Sequence, residues 1–551
     1  MHLRPALLAS LAALWLSLAA HAQVLPAVKA AEATVDAEKI RAHVKFLADD
    51  LLEGRGPGLR GSELAAKYIG AQFAVAGLTP AGDNGDYFQN VKFFGMTVKR
   101  DSSSMSLAPQ FGAAIALTFG PDYVVNNPRH TAVVDIDAPI VFLGYGVTAP
   151  EFGWNDYAGI DVKGKVVLII VGDPPSDDPK FFGGKALTYY GRWTYKYEQA
   201  ARMGAIGALI IHRTDLASYG WGVVEHSGSG EKTFLADDAK PVVEAAAWIH
   251  HDVSDKLFAA ASLGTTDAEI EAAGKRGFKA VELPVHLKAH IDSVVRPFES
   301  PNVVGILPGT ASGKDQAVLY SAHFDHLGFV PGMAGDNVYN GAADNATGCG
   351  ILIELARVWA QSGLKPPHSV LFAAVTSEEQ GLLGSEYLGQ HPPIPAGQIA
   401  LNLNYDMILP VGEPLETNVA GAERTTFYPA VEATAKRFNL AIVPDAHPEA
   451  GHYYRSDHFS MARVGVPSFS VGEGTLFAGH DAAWGLAKED DYVEHRYHNL
   501  SDNYTPDMDF TGNAKLARFG IELGWQAISA PSTVDWQRGD EFEPARKASL
   551  K

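Results

Sequence analysis

Gln316-Ala317-Val318-Leu319-Tyr320-Ser321-Ala322-His323-Phe324-Asp325-His326 is an apolar run that ends abruptly in imidazole and carboxylate groups. A short apolar run bounded by polar residues predicts a buried strand, here Gln316 to Ala322. The same design recurs downstream. Val370 to Val375 runs into Thr376-Ser377-Glu378-Glu379-Gln380-Gly381, and Ile399 to Asn404 into Tyr405-Asp406-Met407; Val466 to Val471 is a fourth strand. Between the first two lies Ala346 to Gln361, where Ile351, Leu352, Leu355, Val358 and Trp359 recur at helical spacing. The phrase Gly341-Ala342-Ala343-Asp344-Asn345 opens that helix. Apolar strands alternating with helices predict an α/β fold: a mixed, mostly parallel sheet covered by helices.

In open α/β sheets, ligands bind at the carboxyl ends of the strands. His323, Asp344, the Glu378–Glu379 pair and Asp406 are all delivered to that edge. Singly, each has an ordinary reading. A histidine at a strand end is usually structural, a Glu-Glu pair is usually solvated, and an aspartate opening a helix is usually an N-cap. Together they would be costly to bury without a compensating cation. Only one cysteine, Cys349, is present, which excludes thiolate zinc fingers and iron–sulfur clusters. Any metal is therefore held by His, Asp and Glu. The donor set suits two divalent ions, and hydrolytic pairs lie about 3.5–4 Å apart, so one carboxylate must bridge them. Asp344 suits the bridge, His323 and Asp406 one ion, Glu379 and a late histidine the other. Glu378 is left as general base, and Asp325, two residues beyond His323, as a partner that orients the imidazole.

Outward from this core, residues 36–79 predict two helices separated by Glu53-Gly54-Arg55-Gly56-Pro57-Gly58. Val35, Ile40, Val44, Phe46 and Leu47 form one apolar side; Leu64, Ala65, Tyr68, Ile69 and Phe73 form the other helix's stripe. From about 135 the rhythm becomes strand-rich: Ile140 to Gly146, Lys165 to Val171 and Gly207 to Ile211, with a short helix at Tyr197 to Met203 and a strand pair over 279–296. The N-terminus has a basic Arg4, an apolar run from Ala6 to Ala20 too short to span a bilayer comfortably, and Ala20-His21-Ala22, which fits a cleavage site. The resulting plan is a signal peptide at 1–22, an N-terminal part of the catalytic domain at 23–134, an insertion at 135–292, the main catalytic part at 293–530 and a tail at 531–551. The chain is expected to be exported, periplasmic or secreted, with no membrane anchor once the leader is removed. Its 551 residues carry a net charge of −20, which disfavours nucleic acid as a partner.

In this order, His323-x-Asp325, Gly341-Ala342-Ala343-Asp344-Asn345, Ser377-Glu378-Glu379-x-Gly381, Asp406 after its strand, and Ser456-Asp457-His458 resemble the family-28 zinc metallopeptidases, typified by secreted bacterial aminopeptidases with a phosphorylase/hydrolase-like fold. The resemblance covers about 36–130 and 300–530. It implies two Zn2+ per chain: Asp344 bridging, His323 and Asp406 on one ion, Glu379 and His498 on the other. His498 comes from the phrase Tyr497-His498-Asn499-Leu500-Ser501-Asp502, with His480 its main rival; His326, His452 and His458 are set aside as non-ligands. It also implies Glu378 as the base, Asp325 as the orienting acid, and Tyr453 as a phenol that steadies the oxyanion. The cysteines that flank this tyrosine in relatives are missing. The block 135–292 resembles a protease-associated domain, in Ile140 to Gly146, in Asp161-Val162-Lys163-Gly164-Lys165-Val166 and in Gly204-Ala205-Ile206-Gly207-Ala208.

The activity implied is removal of N-terminal amino acids from peptide substrates. Rival readings are a carboxypeptidase or dipeptidase on the same scaffold, for which Arg424, Arg455 and Arg463 are candidate carboxylate-binding cations, and a non-enzymatic binding ectodomain.

Overall fold

A computed structural model describes residues 26–551 apart from 218, 229, 238–239, 312–315 and 531. The leader expected at 1–22 lies outside the described residues. The chain divides into two compact units. One comprises the chain up to Val91, Ser300–Pro444 and Ser456–Lys551; the other comprises Lys92–Glu299 and Asp445–Arg455.

The first unit is built on five strands: β1 (Val281–Leu307, which enters it from the second unit), β2 (Ala317–His323), β3 (Val370–Val375), β4 (Ile399–Asn404) and β5 (Ser468–Ser470). Their order is β5-β4-β2-β3-β1. β2 runs parallel to both β3 and β4, and β4 parallel to β5, while β1 is antiparallel to β3. The sheet is thus mixed and mostly parallel, as expected. Every residue of β2, β3 and β4 is buried, which is why these strands read as continuous apolar runs rather than alternating ones.

The helices of this unit include α1 (Pro26–Glu32), α2 (Ala37–Leu47), α3 (Arg60–Ala76), α4 (Thr347–Gln361), α5 (Leu383–Gln390), α6 (Ala482–His495) and α7 (Thr511–Ser529). Successive residues of β2 face opposite sides of the sheet. Val318, Tyr320 and Ala322 join a core with α2, α3, α4 and α7; Ala317 and Leu319 join one with Leu388 of α5 and Met461. The expected stripe of α4 is buried throughout, and the Trp359 indole also donates to the Tyr320 hydroxyl at 3.2 Å, so its one polar atom is satisfied. After β2 the chain crosses through α4 to β3 on one side. After β3 it crosses through α5 to β4 on the other. The carboxyl end of β2 is therefore the switch point, the place where such sheets open a crevice.

Two side-chain expectations are corrected. Phe46 and Leu64 are exposed rather than part of the buried stripes, and Phe46 stacks on Tyr68 at 4.1 Å between ring centres. The strand pair expected over 279–296 is instead one stretch of β1, its partners lying elsewhere, at Ser104–Pro109 and Val133–Phe142. At the far end of the unit, the segment expected as a tail forms a helix, Glu543–Ser549. Arg546 from that helix is buried and donates to the carbonyls of Ala396, Ile399 and Val534.

In the second unit, Val133–Phe142, Val166–Ile170, Gly207–Ile211 and Ala245–Ile249 are consecutive parallel neighbours, with Tyr123–Asn126 antiparallel at one edge and β1 antiparallel at the other. Helices Trp193–Arg202 and His251–Ala260 belong to it. The unit begins at 92, not the 135 expected for the insertion, because the strands at 104–109 and 123–126 pair within it. Among the described residues, no helix is long and apolar enough to cross a membrane.

Candidate metal centre

Three of the segments that carry site residues make tight turns. Ser377, next to the Glu378–Glu379 pair, has φ 55°; Met407, after Asp406, has φ 52°; His498 itself has φ 56°. Left-handed backbone at non-glycine residues costs about 1–3 kcal/mol each and persists where surrounding structure imposes it. Before Asp344 the turn uses Gly341, also at positive φ, where a Cβ would lie 2.1 Å from the Asp344 carbonyl oxygen; only glycine fits. The Asp502 carboxylate holds this turn from outside, accepting from the backbone N–H of Ala343 at 3.0 Å and of Asp344 at 3.1 Å. From the other side, the buried Arg55 guanidinium donates to the carbonyls of Gly341, Asn340, Phe324 and Leu47.

These turns bring two sets of donor atoms together. His323 Nε2 lies 3.2 Å from Asp344 Oδ1 and 3.1 Å from Asp406 Oδ1. His498 Nε2 lies 3.2 Å from Asp344 Oδ2 and 3.0 Å from Glu379 Oε2. Asp344 thus turns one oxygen to each imidazole. Nitrogen and oxygen ligands sit about 2.0–2.2 Å from a zinc ion, which places neighbouring ligand atoms of a tetrahedron about 3.3 Å apart. The donors of His323, Asp344 and Asp406 converge as the ligands of such a cation do, and on the other side His326, Asp344 and Glu379 converge, with His498 beside Asp344 and Glu379; all are donor types that hold such ions.

The field agrees with the spacing. Burial would lower the His323 imidazole, but Asp406, Glu378 and Asp344 overcome that and hold it well above the ordinary histidine range. His498 is likewise pushed up to about 10, chiefly by Glu379 and Asp344 against desolvation. Desolvation and Asp344 raise the Glu379 carboxyl, yet His498 and His326 bring it down to about 2. The crevice therefore favours positive charge strongly. Glu378 belongs to neither donor set: its Oε2 is 4.0 Å from His323 Nε2, and burial pushes its carboxyl well above the usual range, reinforced by Glu379 and Asp406. Ser456 donates its hydroxyl to Asp406 Oδ2 at 2.5 Å, and the Cys349 thiol, behind the site on α4, donates to the His323 carbonyl at 3.1 Å.

The expected site residues of the first unit thus meet; Tyr453 belongs to the second unit, on a short turn, His452–Tyr454, with its ring against Tyr454. The Asp325 carboxylate is 3.8 Å from His323 Nδ1; its closer bonds are to the backbone N–H of Glu378 at 3.0 Å and of Glu379 at 3.4 Å. His480 stacks flat on Trp484, and His452 pairs with Asp445. His326, set aside as a non-ligand, sits at the centre with Nδ1 2.6 Å from Glu379 Oε1. Sequence reasoning also passes over Arg55 and Asp502 as site residues. Both act on backbone groups, which leave no pattern in a sequence.

Imidazoles and carboxylates converging at the switch point of an α/β sheet, with one carboxylate shared between two histidines, define a metallohydrolase type of centre. Residues 302–518 match the model of Peptidase family M28. Leupeptin-inactivating enzyme 1 of Streptomyces exfoliatus is 27% identical over 243 residues, 42% of this chain and 52% of its own. A probable zinc metalloprotease of Pyrenophora tritici-repentis is 32% identical over 118 residues, 21% of this chain and 26% of its own. The chain thus spans only part of the length of these curated relatives. Among solved structures, an aminopeptidase from Aneurinibacillus sp. strain AM-1 superposes with a TM-score of 0.49 at 20% identity, covering 91% of this chain and 96% of its own.

Proposed function

We propose that the protein is an exported zinc-dependent exopeptidase that removes N-terminal amino acids from peptides. The observation that carries this reading is the division of the Asp344 carboxylate, Oδ1 toward His323 and Oδ2 toward His498. Two zinc ions would be held by His323, Asp406, Glu379 and His498 with Asp344 between them. Bound there, they supply the positive charge that polarises a scissile carbonyl and acidifies a water.

The chain's own groups do the rest. Glu378, outside both donor sets, takes the proton of the attacking water and returns it to the leaving amine; its raised affinity for a proton suits that exchange, which contributes about 10²–10⁴-fold. Asp325 fixes the backbone at Glu378 and so the reach of its carboxylate. The oxyanion role expected of Tyr453 rests on the resemblance alone.

The preference for a free amine rests on the resemblance to secreted aminopeptidases. Among the described residues, the acids of the centre pair only with histidines, and no lysine or arginine forms an ion pair with them. A carboxypeptidase would need a cation for the substrate carboxylate; of the candidates, Arg424 is committed to Asp540 and Glu541, whereas Arg455 Nε is buried with no hydrogen-bond partner among the described residues. The protease-associated reading of the second unit stands on sequence phrases, and the exported location on Ala6 to Ala22.

The test is a comparison of amino-acyl p-nitroanilides with N-blocked dipeptides, run on the parent and on Glu378→Ala. The parent should cleave the first and not the second. The variant should lose turnover while keeping about two zinc per chain. Near-parental hydrolysis by the variant removes Glu378 as the base, and cleavage of the blocked dipeptide alone reverses the end preference.

A further inference from the structure

We propose that His326 is a positioning residue of this centre: by donating its Nδ1–H to Oε1 of Glu379, it leaves only Oε2 of that carboxylate to face a metal. The inference rests on the reading of the site as a metal centre and concerns how one ligand is held.

Distance separates this role from ligation. Two atoms bound to one zinc-sized ion at ordinary ligand angles are about 2.8–3.4 Å apart. His498 Nε2 meets that spacing with Asp344 Oδ2 at 3.2 Å and with Glu379 Oε2 at 3.0 Å. His326 Nδ1 does not. It lies 2.6 Å from Glu379 Oε1, closer than two ligands of one ion stand and a short hydrogen-bond contact to a charged group, and 3.9 Å from Asp344 Oδ2. An ionised carboxylate can only accept, so the imidazole is the donor. The two oxygens of Glu379 are thereby assigned: one to His326, one to the position shared with His498 and Asp344.

The ring has little freedom to do otherwise. His326 is fully buried, its backbone N–H bonds the Arg55 carbonyl at 3.3 Å, and its ring lies edge-on to His498 with centres 5.8 Å apart. A Cβ at Gly341 would stand 2.7 Å from both its Cδ2 and the Arg55 guanidinium, so the glycine that shapes the Asp344 turn also makes room for the ring. Its Nε2 is buried with no hydrogen-bond partner among the described residues. A free carboxylate can take a metal with one oxygen or two. With Oε1 bound, Glu379 is restricted to one, which keeps a coordination position open.

Metal binding tests this without reference to turnover. Metal-free parent, His326→Leu, His326→Asn and His498→Ala would each be titrated with Zn2+ by calorimetry and with Co2+ by visible absorption. Asparagine places an amide N–H where Nδ1 stands, yet its nitrogen is not a metal ligand. The expected result is two equivalents in His326→Leu, one of them weakened about 10–100-fold with an altered cobalt spectrum, and near-parental binding and spectrum in His326→Asn. Loss of a full equivalent from His326→Asn, matching His498→Ala, would make His326 a ligand and overturn the proposal. Parental affinity and spectrum in His326→Leu would overturn it too. A parent that binds no zinc would instead remove the metal-centre reading beneath it.

Discussion

The carboxylate of Asp325 accepts the backbone N–H of Glu378 at 3.0 Å, and its other oxygen accepts that of Glu379 at 3.4 Å. An acid two residues from His323 thus secures the turn that carries both glutamates, one proposed as base and one as ligand. Asp325→Asn should therefore reach beyond His323. The amide keeps the volume but loses one acceptor, and it sets an N–H against a backbone N–H. We expect kcat to fall by about 10–100-fold, the size usual for groups that orient a metal site, with KM changed far less. Steady-state kinetics decides, and a change confined to KM counts against this role.

Asp344 is expected to be unlike every other ligand, since it faces both His323 and His498. Asp406→Asn should weaken one zinc equivalent and leave the second near parental affinity. Asp344→Asn should weaken both, because the shared carboxylate supplies charge to each position. Calorimetric titration of the metal-free proteins distinguishes these outcomes, and independent loss of a single equivalent from Asp344→Asn would be incompatible with a bridge.

Whether a residue is legible in the sequence depends on where it acts. β2, β3 and β4 are visible because burial on both faces turns a strand into an unbroken apolar run. The acids at their ends are visible because polar groups interrupt such runs abruptly. β1 misleads because Leu283, Val285, Leu287, Ala289 and Ile291 alternate in the same way whether their partner is adjacent or far along the chain. Phe46 misleads because helical spacing alone does not separate the edge of a stripe from a surface aromatic pair. Arg55 and Asp502 escape notice as site residues because their partners are main-chain carbonyls and N–H groups, which every residue possesses. His326 is overshadowed by His323, although the end of β2 and the loop after it bring both imidazoles to the crevice.

Arg55 gives a stability prediction. Its guanidinium is fully buried and binds only backbone carbonyls, with Asp344, Asp502 and Asp325 supplying the nearby negative charge. Arg55→Met removes the donors and leaves those carbonyls buried and unpaired. The cost is expected to be about 3–5 kcal/mol, as for breaking other buried charged networks. Arg55→Lys, with one ammonium in place of a planar fork, should recover only part of it. Thermal or urea unfolding measures both, and a lysine variant as stable as the parent would show that charge alone, not the fork, holds the turn.

Far from the metal centre, Glu32 at the end of α1 predicts a pH effect. Burial, then the nearby charge of Glu522, raises its carboxyl from the ordinary 4.5 to about 7, and its Oε1 has no hydrogen-bond partner among the described residues. Below about pH 4.5 the group is protonated whether the chain is folded or not. Between about 4.5 and 7 the folded protein keeps a proton that the unfolded chain releases, so stability from this site falls as pH rises, and above about 7 the buried charge is carried in full. Glu32→Gln removes that charge and keeps the volume. Its advantage over the parent should be absent at pH 4.5, grow toward pH 7 and level off near 1 kcal/mol, a value reduced from the full shift because the carboxyl is partly in water. Urea midpoints at pH 4.5, 6 and 8 measure it, and an advantage of the same size at all three would show that packing, not ionisation, sets the effect.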